Sequence, residues 1–181
     1  MLGSSPPGAQ PLKGTGIIEC RGLVAVRVRL AADQCTVACA VLQALATRRI
    51  NTQLVVQQGD ADGHIHVFFC IQQGDEASTM SILAELLSSS PGATSSAETG
   101  VAVLAVHGPH FRERAGCAAA ACSALTGAGV RVLAISTSVS SVACVVPVGS
   151  LPVAVRALQA AFDVSPSAVM IAADGLSRPA G

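Results

Sequence analysis

The sequence predicts an α+β fold built from two similar units, each reading βαββα, and three observations carry that expectation. The chain of 181 residues is 51% hydrophobic but only 12% charged, enough apolar material for one ordinary domain or two small ones. Two segments share a pattern, ALATRRINTQLVVQQ (Ala44 to Gln58) and ALTGAGVRVLAISTS (Ala124 to Ser138), with GLVAVRV (Gly22 to Val28) and GVAVLAV (Gly100 to Val106) upstream of them. The period is about eighty residues, near the size of a small α/β unit. Within each unit the hydrophobic period switches between two and 3.6 residues, the signatures of strand and helix.

In the first unit, Val24, Val26 and Val28 alternate with Ala25 and Arg27, the pattern of a half-buried strand. A helix is expected from about Thr36 to Thr47, where Val37, Val41, Leu42 and Leu45 recur on one face. The strand Asn51 to Gln57, the turn Gly59-Asp60-Ala61-Asp62-Gly63 and the strand His64 to Ile71 read as a hairpin, because Gly and Asp tolerate turn geometry. A second helix from about Asp75 to Ser88 opens on acidic residues, which suit the positive end of a helix dipole. Ser89 to Thr99, with Pro91 and Gly92, reads as a linker.

The second unit repeats the order, with a strand at Val101 to Val106, a helix at about Gly116 to Thr126, strands at Val130 to Ser136 and Val142 to Val146, and a helix at Leu151 to Phe162. Pro152 fits the first turn of that helix, where a missing N–H costs nothing. The short tail after Phe162 is not expected to add an element, and the strand Gly16 to Glu19 could complete the second sheet instead.

The stretch Ala134 to Phe162 resembles the last ACT domain of aspartate kinases. The likeness rests on Ile135-Ser136-Thr137-Ser138 at a strand end and on Ala157, Leu158, Ala161 and Phe162 in the helix that follows. The first unit is similar to that family's other ACT domain through Ile50, Asn51 and Gln57, and Thr15 to Ile17 looks like its lead-in strand. Over residues 15 to 164 the resemblance implies two ferredoxin-like βαββαβ ACT domains, antiparallel sheets with helices on one face, one domain inserted in the other. The expected boundaries are a disordered N-terminus at 1–14, a first ACT domain at 22–88, a second at 15–21 plus 100–164, and a flexible tail at 165–181. The resemblance further implies allosteric feedback control of the aspartate-family pathways through an end-product amino acid, lysine or threonine. The implied partners are a second copy of the chain in a homodimer and a catalytic aspartate kinase chain. A stand-alone amino-acid sensor and a ligand-free dimerisation module are the alternatives.

An effector carboxylate would suit free N–H groups at a helix start, which selects Asp33, Thr36, Val37 and Ala38. Gln53 and Gln57 on the next strand could take side-chain or amino groups, and by analogy with the family Arg131 and Val132 of a partner chain would close the pocket. Departures from the family pattern point to weak binding. The loop Ala32-Asp33-Gln34-Cys35-Thr36 keeps the Asp and loses the Gly that lets an effector approach the backbone. Gln53 is neutral where the family often has an acid, Arg131 replaces an Asn and Val139 a Glu.

No catalytic residues, metal or cofactor are expected. No Gly-rich phosphate loop or carboxylate cluster for nucleotide and metal is legible, so no kinase half is expected in the chain. Asp60 and Asp62 read as turn formers, His64 and His66 as solvent-facing strand residues, and His107-Gly108-Pro109-His110 as a turn fixed by Gly and Pro. The seven cysteines form no CxxC pair and read mostly as small core residues; Cys35 and Cys39 lie one helical turn apart. Zero net charge and a near absence of aromatics argue against nucleic acid. No stretch is long and apolar enough to span a membrane, and the Ser-rich start lacks a secretory core, so a cytoplasmic protein is expected, with a plastid as the weaker option.

Overall fold

A computed structural model describes residues 12–109 and 111–172, which form two compact units. The first unit comprises Cys20–Val103; the second comprises residues 12–19 and 104–171. Two long strands, β1 (Gly16–Ala31) and β4 (Thr94–His107), contribute to both, changing unit at Glu19/Cys20 and at Val103/Leu104.

The first unit runs from β1 through a 3-10 turn (Ala32–Gln34) into helix α1 (Cys35–Thr47), then β2 (Gln53–Gly59), β3 (His64–Gln72), helix α2 (Glu76–Leu87) and β4. Its strand order is β2-β3-β1-β4, the ferredoxin-like arrangement. The β1–β3 pair is antiparallel, with Val24 opposite Ile71, Val26 opposite Phe69 and Val28 opposite Val67. Alternation sends these six residues to one face, where they form a core with Ala38, Val41 and Leu45 of α1 and Ile82 and Leu83 of α2. The other face carries Arg27, Arg29, His66 and Phe68 and no helix of this core.

The second unit follows the same plan with helix α3 (Cys117–Gly127), β5 (Ala134–Thr137), β6 (Ser141–Pro147) and helix α4 (Leu151–Ala161). Its strand order is β5-β6-β4-β1, with β1 supplying the fourth position through its N-terminal end. Leu104, Val106, Ala121, Leu125, Val142, Cys144, Val146, Ala154 and Leu158 are buried, and the Phe111 and Phe162 rings pack with centroids 5.5 Å apart. Pro152 occupies the first turn of α4.

The structure corrects several sequence expectations. Gly16 to Glu19 is not a separate strand but the start of β1. The expected linker ends early, because β4 begins at Thr94 and Glu98 within it pairs with Arg27 at 3.1 Å. Residues 165–172 of the expected flexible tail form a 3-10 turn (Pro166–Ala168) and a strand β7 (Val169–Ile171), which pairs in parallel with Ile17–Glu19. Gly14, within the expected disordered start, is tied to the second unit: its N–H donates to Phe162 O at 2.6 Å. The remainder of both terminal expectations, residues 1–11 and 173–181, lies outside the described residues, as does His110.

Candidate effector site

Asp33 and Thr36 are exposed at the start of α1, while Val37 is half-buried against the core and Ala38 is fully buried within it. Val37 therefore has only its backbone N–H to offer, whereas the N–H of Ala38, the fourth residue of α1, is already used in the first bond within the helix. Gln34, the residue before the helix, makes no side-chain cap to it; its Oε1 accepts instead from Ala31 N–H at 3.3 Å. The first turn of α1 thus carries donors that no capping side chain satisfies, the arrangement that favours a carboxylate.

Gln53 and Gln57 are both on β2, yet they do not face the same way. Gln53 is opposite Cys70 and Gln57 opposite Val67, with a register shift between Gln53 and Val56. Partners across a ladder share a face, and Cys70 and Val67 are three apart on β3, so the two glutamines project to opposite faces. The cause is a β-bulge in which Leu54 adopts φ 51°, a conformation unfavourable for a leucine. Even spacing hides this in the sequence, because a regular strand would put residues 53 and 57 together.

Arg131 and Val132 belong to the second unit and precede β5, which starts at Ala134 rather than at Val130. Val130 instead closes the end of α3, its N–H donating to Leu125 O at 2.9 Å. Arg131 is exposed and Val132 half-buried.

The remaining candidates resolve into structure. His107 O accepts from Thr15 N–H at 2.7 Å, and a Cβ on Gly108 would overlap the Phe111 ring and lie 2.9 Å from Lys13 O, so this loop is a close-packed turn. Cys70, Cys117 and Cys144 are buried, but Cys39 and Cys122 are exposed, so the expectation of core cysteines holds only for the former. His64 and His66 are half-buried rather than simply solvent-facing, because Asp60 reaches back to both, 2.8 Å from His66 Nε2 and 3.4 Å from His64 Nδ1. The hydrogen bond from His66, then the backbone N–H of His64, hold the Asp60 carboxyl well below the usual carboxylate range. The pattern D-x-D-G-H-x-H carried this signal, an acid at a turn with two histidines on the returning strand. Among the described residues, no group of three His, Cys, Asp or Glu side chains could hold a metal ion, and no helix is long and apolar enough to cross a membrane.

The family model for the ACT domain matches residues 104–162, most of the second unit. The fold of the chain as a whole is similar to that of aspartate kinase regulatory proteins. The aspartokinase alpha and beta subunits share 28% identity with it at a TM-score of 0.74, over 83% of this chain and 99% of theirs. The ligand-free regulatory subunit of aspartate kinase from Thermus thermophilus, at 21% identity and the same TM-score of 0.74, is covered over 98% of its length by 82% of this chain. E. coli aspartokinase III in complex with lysine and aspartate is more distant, with 16% identity, a TM-score of 0.58, and 86% of this chain covering 34% of that one. No curated protein matches the chain by sequence. The second unit therefore matches the ACT-domain family model over residues 104–162, and the chain, over most of its length, resembles the regulatory subunits of aspartate kinase.

Proposed function

We propose that this chain is an amino-acid-sensing regulatory subunit or fragment that acts on a catalytic aspartate kinase chain, as a homodimer in the cytoplasm. The observation that carries the reading is the similarity to the aspartokinase alpha and beta subunits, which spans 99% of that chain at 28% identity. The aspartokinase III structure solved with lysine makes lysine the first candidate effector, with threonine beside it. In the proposed site the uncapped start of α1, with Asp33, Thr36 and the N–H of Val37, receives the effector carboxylate, and Ala38 stands behind them with its N–H used within the helix. Gln57, with Arg131 and Val132 of a second copy, completes the pocket. Gln53, on the opposite face of β2, stands apart from it.

Binding is expected to be weak. No acidic side chain on β2 meets the effector's ammonium, and a lost charge-assisted hydrogen bond costs about 1.5–3 kcal/mol, roughly ten- to a hundredfold in affinity. A thermal-shift screen against the twenty amino acids, followed by calorimetry, tests this. Weak dissociation constants for lysine or threonine are expected, and micromolar binding of either would show that the lack of an acid on β2 and the Thr36 in place of glycine are not defects. The divergence of Gln53 and Gln57 favours a second reading, a dimerisation module without ligand. A dimer that answers to none of the twenty would select it. An effector response without association with a catalytic aspartate kinase chain would instead mark a stand-alone sensor.

A further inference from the structure

The β2–β3 turn of the first unit closes on a polar cluster that the effector reading does not use. Arg29 of β1 is paired with His66 of β3, and Ala31 with His64, so Arg29, His64 and His66 meet on the sheet face away from the helices. Arg29 Nη2 lies 2.7 Å from His64 Nε2. A guanidinium has donors and no acceptor, so His64 Nε2 must be a bare acceptor and the ring neutral, with its proton on Nδ1. That nitrogen is 3.4 Å from Asp60 Oδ1, and it is buried without a formed hydrogen bond. Asp60 Oδ1 is already taken by the backbone N–H groups of Asp62 and His64, at 3.0 and 2.8 Å. The other carboxylate oxygen, Oδ2, is held by His66 Nε2 at 2.8 Å.

We infer that His64 is a proton-controlled latch on Arg29: neutral His64 holds the guanidinium beside the turn, and protonated His64 releases it. Protonation places an N–H on Nε2, where a donor already stands, and adds a positive charge beside another. The same proton draws the ring toward Asp60, whose charge compensates the new imidazolium. One proton thus exchanges the Arg29 partner for the Asp60 partner. The groups that decide the balance are Asp60 from the turn, His66 on β3 and Arg29 on β1. Arg27, two residues along β1, is engaged elsewhere, 3.1 Å from Glu98 and over the Phe68 ring at 5.3 Å. Imidazole is in general the side chain that changes charge within the range of pH a cell visits. The corresponding hairpin of the second unit joins Ser138 and Ser141 through their hydroxyls at 2.8 Å, a contact that does not titrate there. That hairpin therefore has no counterpart of the latch. The latch releases an exposed cation three residues before the turn that leads into α1.

Nitrogen-15 NMR of the whole chain from pH 8 to pH 5 tests the latch. At pH 8 the His64 ring should show the Nδ1–H tautomer, and the Arg29 side-chain signal should move with the same midpoint as His64. Arg29→Met, at an exposed position where folding is not threatened, should raise the His64 midpoint by about 0.5–1 pH unit, the effect of removing one charge at this distance through water. An Nε2–H tautomer in the wild type at pH 8, or an unchanged His64 midpoint in Arg29→Met, would overturn the latch. Neither readout depends on whether an amino acid binds.

Discussion

Arg49 follows α1 with φ 56°, in the left-handed region where a Cβ is crowded by the carbonyl that follows it. Its N–H donates to Ala46 O at 2.9 Å, and that of Ile50 to Leu45 O at 2.9 Å, closing the helix end. The second unit makes the same closure after α3 with Gly129 at φ 73°, its N–H reaching Thr126 O at 3.0 Å and that of Val130 reaching Leu125 O at 2.9 Å. One closure uses the residue suited to it and the other does not. A Cβ on Gly129 would meet nothing within 4 Å, so Gly129→Ala isolates the backbone cost and should destabilise by about 1 kcal/mol. Arg49→Gly should stabilise by about 0.5 kcal/mol, because the released strain exceeds the extra entropy that glycine loses on folding. Urea unfolding of both variants checks the pair; a neutral Gly129→Ala would sink the strain account.

At the scale of elements, the equivalent strands β3 and β6 each bury a thiol. Burial pushes Cys70 up to about 12 and Cys144 up to about 12. An unfolded thiol titrates near 8.5, so the contribution of each is fully present below that pH and is lost as the pH rises toward 12, at about 1.4 kcal/mol per pH unit per thiol. Stability measured by urea unfolding at pH 8, 9 and 10 should therefore fall progressively, and Cys70→Ala should flatten the decline while lowering stability at pH 8. An unchanged slope in Cys70→Ala would show that this thiol does not carry the alkaline loss. The helices were legible in the sequence because Val37, Val41 and Leu45 state their period locally. The bulge at Leu54 was not, because nothing local distinguishes it from the regular strand residues beside it; the register against β3 creates it.

For the whole molecule, β2 and β5 occupy corresponding edge positions in the strand orders of the two units. Each exposes one large apolar residue at the matching place of the repeat, Val55 at 42% and Ile135 at 37%, with Val139 at 64% beyond β5. Apolar side chains on unpaired edges invite another chain, which is the physical basis for the proposed homodimer. Sedimentation at micromolar concentration should give a species of twice the 18.1 kDa chain mass. Val55→Asp with Ile135→Asp places charges on both edges and should yield monomers or aggregates. A wild-type chain sedimenting as a monomer would remove the dimer and, with it, the shared pocket built from Arg131 and Val132.

The sequence by itself determined the local elements, their twofold repetition and the α+β class, because these follow from hydrophobic period, turn residues and composition over a dozen residues at a time. It also carried the resemblance, through Ile135-Ser136-Thr137-Ser138 and the helix ending at Phe162, where the ACT family model matches. Only the tertiary structure decided that β1 and β4 each serve both units, that Val169–Ile171 returns to pair with Ile17–Glu19, that Gln53 and Gln57 part at a bulge, and that Asp60 gathers His64 and His66. Each of these depends on which strand lies beside which and in what register. That choice is fixed by contacts between residues distant in the chain, and no period within a single segment encodes it.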